Sequence, residues 1–150
     1  MMKKTIIFIA ALAFVAWGCS SDKETVEEQK VLLAGTDTSP LWQVPNYDLY
    51  EQTMSVEVAL QDTLVPYASA NDLMCATVNN EVRGVASPIV VNGQWLFQLT
   101  VGNNDSDAIV SLSYYCDKLH RIFVVSPWTA FDATLPPTGA GELYKPTFVK

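Results

Sequence analysis

The chain has 150 residues, sixteen acidic against nine basic, one histidine and a formal net charge of -7. A pI near 4.5 with sparse Lys and Arg excludes a protein built to grip phosphate backbones, since that affinity rests on clustered cations. A hydrophobic content of 49% with 17% charged residues excludes a wholly disordered chain. The single His removes any metal site that needs two imidazoles, and the length suits one domain.

Residues 1–18 open with Lys3-Lys4 and continue as an uncharged apolar run from Ile6 to Trp17. That run is shorter than the roughly 20 apolar residues of a membrane span, but its length and basic flank suit the hydrophobic region of a signal peptide. Gly18, Cys19 and Ser20-Ser21-Asp22 follow directly. A cysteine in that place resembles the lipobox of bacterial lipoproteins, in which the leader is cut before the cysteine and the cysteine is lipidated. Ala16 and Trp17 stand where the usual box has Leu and a small residue. The resemblance implies an anchor without a span, with several acyl chains on Cys19 holding the protein to a membrane. The alternative is an ordinary secretory leader with an incidental Cys. Removing residues 1–18 takes away Lys3 and Lys4 but no acid, so the mature chain is more acidic than the whole.

Residues 19–41 are polar and mostly acidic, with Val31-Leu32-Leu33 as an apolar break. Such a composition buries too little surface to offset its ordering entropy, and it reads as a flexible tether. Asp22-Lys23-Glu24 and Glu27-Glu28 also resemble the charged run that directs some lipoproteins of Bacteroidetes-type bacteria to the cell surface.

From residue 42 the apolar period becomes two. In Thr53–Leu60, Met54, Val56, Val58 and Leu60 alternate with Ser55, Glu57 and Ala59, which predicts a half-buried strand. Asn79-Asn80 separates predicted strands Leu73–Val78 and Val82–Ala86. Asn92-Gly93 separates Ile89-Val90-Val91 from Gln94–Val101, where Trp95, Phe97, Leu99 and Val101 alternate with polar residues. That Asn-Gly pair supplies the positive φ angles of a type I′ hairpin. Ala108–Cys116 and Leu119–Val125 flank Asp117-Lys118, and Trp128–Thr134 and Leu143–Val149 flank Pro136-Pro137-Thr138-Gly139. Pro146 predicts an edge position for the last segment. About eight short strands with frequent turns predict an antiparallel, immunoglobulin-like β-sandwich over residues 42–150.

Asp72, the run Arg83-Gly84-Val85-Ala86, Gly102-Asn103 and Tyr114-Tyr115 resemble the pattern of a small β-sandwich module recurrent in secreted and surface lipoproteins of Bacteroidetes-type bacteria. Trp42 and the Met54-Ser55-Val56 strand fit its opening, so the resemblance covers about residues 42–149. Val82 departs from it where many members have a cysteine, and Cys75 and Cys116 stand where the module has other residues. The resemblance implies a sandwich and an envelope location, on the outer membrane and facing the cell surface or the periplasm. It implies little about function.

Once Cys19 is lipidated, Cys75 and Cys116 remain. They either form one disulfide in an oxidising compartment or stay as two buried thiols that behave as small hydrophobes. A Cys116–His120 pair across the Asp117-Lys118 turn would suit a small hydrolase, but no nucleophile motif surrounds it. Asp105 and Asp107 lie in the oxygen-rich loop Gly102–Asp107, a weak Ca²⁺ candidate that lacks the later Glu of an EF-hand. Trp42, Tyr47, Tyr50 and Trp128 are candidate aromatics for stacking on a sugar ring, or else caps on the ends of the core. No Gly-x-Ser-x-Gly, phosphate loop or His-Glu-x-x-His occurs. The expectation is a non-catalytic interaction module without a cofactor, its partner a protein or other envelope component. A glycan-binding accessory lipoprotein is the alternative, and a hydrolase stands third.

Overall fold

The computed structural model describes residues 30, 33–105, 107–134 and 143–149. The leader, Cys19 and the charged part of the tether lie outside the described residues. The chain divides into two compact units, Met1–Ala34 and Gly35–Lys150. In the first, Lys30 and Leu33 are helical, and the Ala34 N–H donates to the Lys30 carbonyl at 2.8 Å. Among the described residues no helix is long and apolar enough to cross a membrane.

The second unit is an all-β sandwich. Its strands are β1 (Gln52–Ala59), β2 (Leu73–Val78), β3 (Glu81–Ala86), β4 (Ile89–Val91), β5 (Gln94–Asn103), β6 (Ile109–Cys116), β7 (Arg121–Ala130) and β8 (Leu143–Tyr144). They form two four-stranded sheets, β4-β5-β1-β8 and β3-β2-β6-β7. Every pairing is antiparallel except β1 with β8, which is parallel.

Local sequence builds both tight hairpins. Asn79 and Asn80 have φ of 51° and 63°, and Asn92 and Gly93 have 51° and 79°. Two successive positive φ angles give a type I′ turn, whose twist matches the strands it joins. Alternation then sets the faces. Met54, Val56 and Val58 lie opposite Val101, Leu99 and Phe97 in the first sheet. Met74, Ala76 and Val78 lie opposite Tyr114, Leu112 and Val110 in the second, and all twelve are buried. The sheets meet where the Phe97 ring lies edge-on to Tyr114, centroids 5.7 Å apart.

Gly84 marks another close approach. A Cβ there would stand 2.3 Å from the Thr100 carbonyl oxygen on β5, so the backbone of β3 rests directly on the opposite sheet. The β2–β3 register slips between Ala76 and Thr77, and the bulge leaves Arg83 with no residue opposite.

Three sequence expectations change. Leu119–Val125 and Trp128–Thr134 are one strand, β7, which stops at Ala130. Pro127 is accommodated because the β6–β7 register shifts between Val110 and Leu112, so the missing N–H falls at an irregularity of the ladder. Leu143–Val149 is a strand only at Leu143–Tyr144. Beyond Pro146, Val149 exchanges two backbone hydrogen bonds with Val124 of β7, at 2.8 and 3.0 Å. Finally, the body begins before residue 42. Gly35 and Asp37 donate from their backbone N–H groups to the carbonyls of Leu119 and His120, both at 2.7 Å, and the Asp37 carboxylate accepts from the Ile122 N–H at 2.8 Å. Backbone bonds to a sheet edge order this stretch despite its polar composition.

Gly84→Ala is expected to lower unfolding stability by about 1–3 kcal/mol, as overpacking does, because the obstructing atom is backbone and has no rotamer to yield. Urea denaturation read by tryptophan fluorescence measures it.

Candidate functional site

Polar side chains gather at two places in the sandwich. The first is centred on Asp72, which is buried in the loop entering β2. Its Oδ1 accepts from the Ser69 hydroxyl and the Asp117 N–H, both at 3.0 Å. Its Oδ2 accepts from the Ser69 N–H at 3.0 Å and the Tyr114 hydroxyl at 2.7 Å. Four donors around one carboxylate satisfy a charge that would otherwise be costly to bury. Tyr114 lies among Phe97, Phe123 and Phe148, with ring centroids 5.7, 6.1 and 5.8 Å away. Burial, with the neighbouring Cys116 and Asp72, raises the Tyr114 phenol well above its usual range.

Beside this cluster the Cys116 thiol donates to the Tyr67 carbonyl at 3.5 Å, and burial raises its pKa. A nucleophilic cysteine needs the opposite shift. His120 is exposed, on a residue with φ of 48°, so the Cys116–His120 pair is not assembled. Cys75 lies opposite Ser113, whereas Cys116 shares the strand parity of Tyr114, which faces Met74 in the core. The two cysteines therefore take opposite faces of one sheet. Both are free and buried, so the bridge is not formed and the alternative of two buried thiols holds. Burial pushes the Cys75 thiol up to about 12.

The second cluster joins β3, β5 and the chain entering β1. The Arg83 guanidinium lies 5.0 Å from the Tyr50 ring centroid and donates to Asn103 Oδ1 at 3.0 Å and Glu81 Oε2 at 2.8 Å. Tyr50 in turn packs on Gly102, where an added Cβ would stand 2.2 Å from the ring. The Tyr47 hydroxyl donates to the Thr100 carbonyl at 2.7 Å. Burial, with Tyr50 alongside, raises the Tyr47 phenol. Glu81 is 71% exposed, so its ion pair adds little stability; the aromatic face and the Asn103 bond hold the guanidinium.

The remaining candidates stand apart. Among the described residues no ring pair joins two of Trp42, Tyr47, Tyr50 and Trp128. Trp128 instead meets Tyr144 edge-on, centroids 5.7 Å apart and 81° between planes, a contact from β7 to β8 that spans the two sheets. Tyr144 is the aromatic that strand alternation did not single out. Asp105 Oδ1 accepts from the Asp107 N–H at 3.1 Å, and the Asp105 carbonyl accepts from Asn103 Nδ2. These bonds close a turn. Among the described residues no group of three or more His, Cys, Asp or Glu side chains is placed to hold a metal ion.

The surface offers a different feature. Strand β4 is an edge strand, and Ile89, Val90 and Val91 are 37%, 56% and 42% exposed. No charged residue occurs from Gly84 to Asn104. The sequence names this hairpin from Asn92-Gly93; the further signal in it is the run without charge in an acidic chain.

No protein-family model, no curated protein and no solved structure matches the chain.

Tyr114→Phe is expected to cost about 1.5–3 kcal/mol, the range for a hydrogen bond to a charged group, measured by chemical denaturation at neutral pH. The stability contributed by the raised phenol pKa is present in full below the unfolded value of 10.0. It is lost as the pH rises above that value. The substitution should therefore also flatten the alkaline limb of the stability–pH profile. For the cysteines, a thiol reagent is expected to label neither Cys75 nor Cys116 in the native body and both after denaturation. Intact mass without reductant should show both thiols reduced.

Proposed function

We propose that the protein is a lipid-anchored envelope protein of a bacterium, held to the outer membrane through Cys19, and that its β-sandwich is a non-catalytic interaction module. The observation that carries this reading is the order of features at the start of the chain. Lys3-Lys4 is followed by the short apolar run Ile6–Trp17, then by Cys19 and a polar segment. That order suits export, cleavage and lipid attachment at one residue. The body supports the second half of the proposal. The Asp72 carboxylate oxygens and the two terminal nitrogens of Arg83 bond to neighbouring loops and strands, where they hold the scaffold, while the buried Arg83 Nε has no hydrogen-bond partner among the described residues. The exposed apolar surface of β4 supplies a place for a partner to dock.

The glycan-binding alternative gains less from the geometry. Arg83 covers a face of Tyr50, and the steep angle between Trp128 and Tyr144 makes no flat platform for a sugar ring.

Expression of the full chain in a bacterium with a lipoprotein pathway, with a labelled fatty acid, tests the anchor. The wild type is expected in the membrane fraction with label incorporated. Cys19→Ala is expected in the soluble fraction or as uncut precursor, without label. Unchanged fractionation and labelling of Cys19→Ala would overturn the proposal.

A further inference from the structure

Strand β4 has a geometry that fits a second copy of itself. Its register with β5 pairs Ile89 with Leu96, Val90 with Trp95 and Val91 with Gln94. In a two-residue hairpin the residues flanking the turn exchange both hydrogen bonds with each other, and the next pair outward does not. Val91 and Gln94 are the flanking pair, so the N–H and C=O of Val90 point away from β5, toward an edge that no described strand covers. The opposite end of the other sheet is treated differently, because the Asp37 carboxylate accepts from the Ile122 N–H of β7 and Val149 exchanges two backbone bonds with Val124, while Gly35 and Asp37 bond to the carbonyls just before the strand.

We infer that the protein forms a dimer through antiparallel pairing of β4 with β4 of a second copy, on a two-fold axis at Val90. That register sets Val90 opposite the second copy's Val90, in a hydrogen-bonded pair. It sets Ile89 opposite Val91, and Val91 opposite Ile89. Each exposed apolar residue of the strand then meets an apolar residue, the type of cross-strand pair that stabilises a sheet. Ile89 and Val91 lie on one face of the ladder and Val90 on the other, so both faces are served.

The charge pattern admits a second copy and offers nothing to a charged partner strand. The whole chain carries -7, yet Gly84–Asn104 carries no charge, so two acidic copies meet along this hairpin without facing like charges across the ladder. The edge carries no outward lysine or other charge, and its three-residue length with Pro88 just before it confines the ladder to the pair at Val90 and its two neighbours. Isologous pairing consumes both edges and closes the assembly at two.

The interface is small. Three residues a side bury far less than the roughly 1,200 Å² of a stable solution interface, so the dimer is weak and reversible. Confinement to a membrane surface raises the effective concentration and favours pairing. The inference deepens the interaction-module reading and rests on it, but it does not depend on lipidation.

The test is sedimentation equilibrium of the detergent-solubilised full chain over a wide concentration range. It compares wild type with Val90→Lys and Val90→Pro, each checked for native structure by near-UV circular dichroism. Val90→Pro deletes an N–H that β5 does not use, and Val90→Lys places a charge on the axis. The wild type is expected to show a concentration-dependent monomer–dimer equilibrium. Each variant is expected to weaken it by about tenfold or more with an unchanged near-UV spectrum. A wild type that stays monomeric throughout overturns the inference, as does a dimer indifferent to both variants. If an envelope protein whose capture Val90→Pro abolishes binds a monomeric wild type, the edge belongs to a different strand and self-pairing is overturned. Loss of membrane attachment in Cys19→Ala is read separately and leaves this result standing.

Discussion

One buried carboxylate organises the sandwich. Asp72 receives hydrogen bonds from its own loop through Ser69, from the C-terminal part of β6 through Tyr114, and from the β6–β7 turn through the Asp117 N–H. An ionised group in that position is tolerable only while all of these donors stay in place. It therefore ties the entry of β2, the core strand β6 and one end of the second sheet to a single geometry. Tyr114 carries the same constraint inward, because the ring whose hydroxyl meets Asp72 also packs on Phe97 of the opposite sheet and on Phe148 near the C-terminus. The Arg83–Tyr50 cluster does similar work elsewhere, fastening the entry segment and the end of β5 to β3.

These uses change the meaning of the residues that carry the family resemblance. Asp72, Arg83, Gly84, Gly102, Asn103 and Tyr114 each have a structural task in hydrogen bonding or close packing. A motif composed of such residues describes how the sandwich holds together and is silent about ligands. Strand β4 is different: among the described strands it pairs with β5 alone, its three apolar side chains are part-exposed, and this is why the interaction proposal rests there.

Much of the fold is legible in the chain because the deciding forces are local. Asn79-Asn80 and Asn92-Gly93 adopt left-handed conformations at little steric cost, so the two tight hairpins can be read from dipeptides. Alternation in β1, β2 and β5 names the core face directly. Reading fails where a distant partner decides. Pro127 looks like a strand terminator, yet a register shift on β6 lets β7 run through it. Residues 35–37 look like tether, yet carbonyls of Leu119 and His120 order them. Cys75 and Cys116 look like a pair, yet strand parity places them on opposite faces.

By itself the sequence determined the all-β class, the two Asn-bearing hairpins, the alternating core positions and an acidic surface. Each follows from steric limits on φ, from the two-residue period of a strand or from simple charge count. Only the tertiary structure decided that Asp72 and Tyr114 are partners, that Arg83 lies over Tyr50 and that the cysteines stay apart. It alone decided that the aliphatic segment β4 is the edge strand of its sheet among the described residues. Burial, parity across a sheet and edge position are properties of strand order, and strand order depends on contacts between residues far apart in the chain.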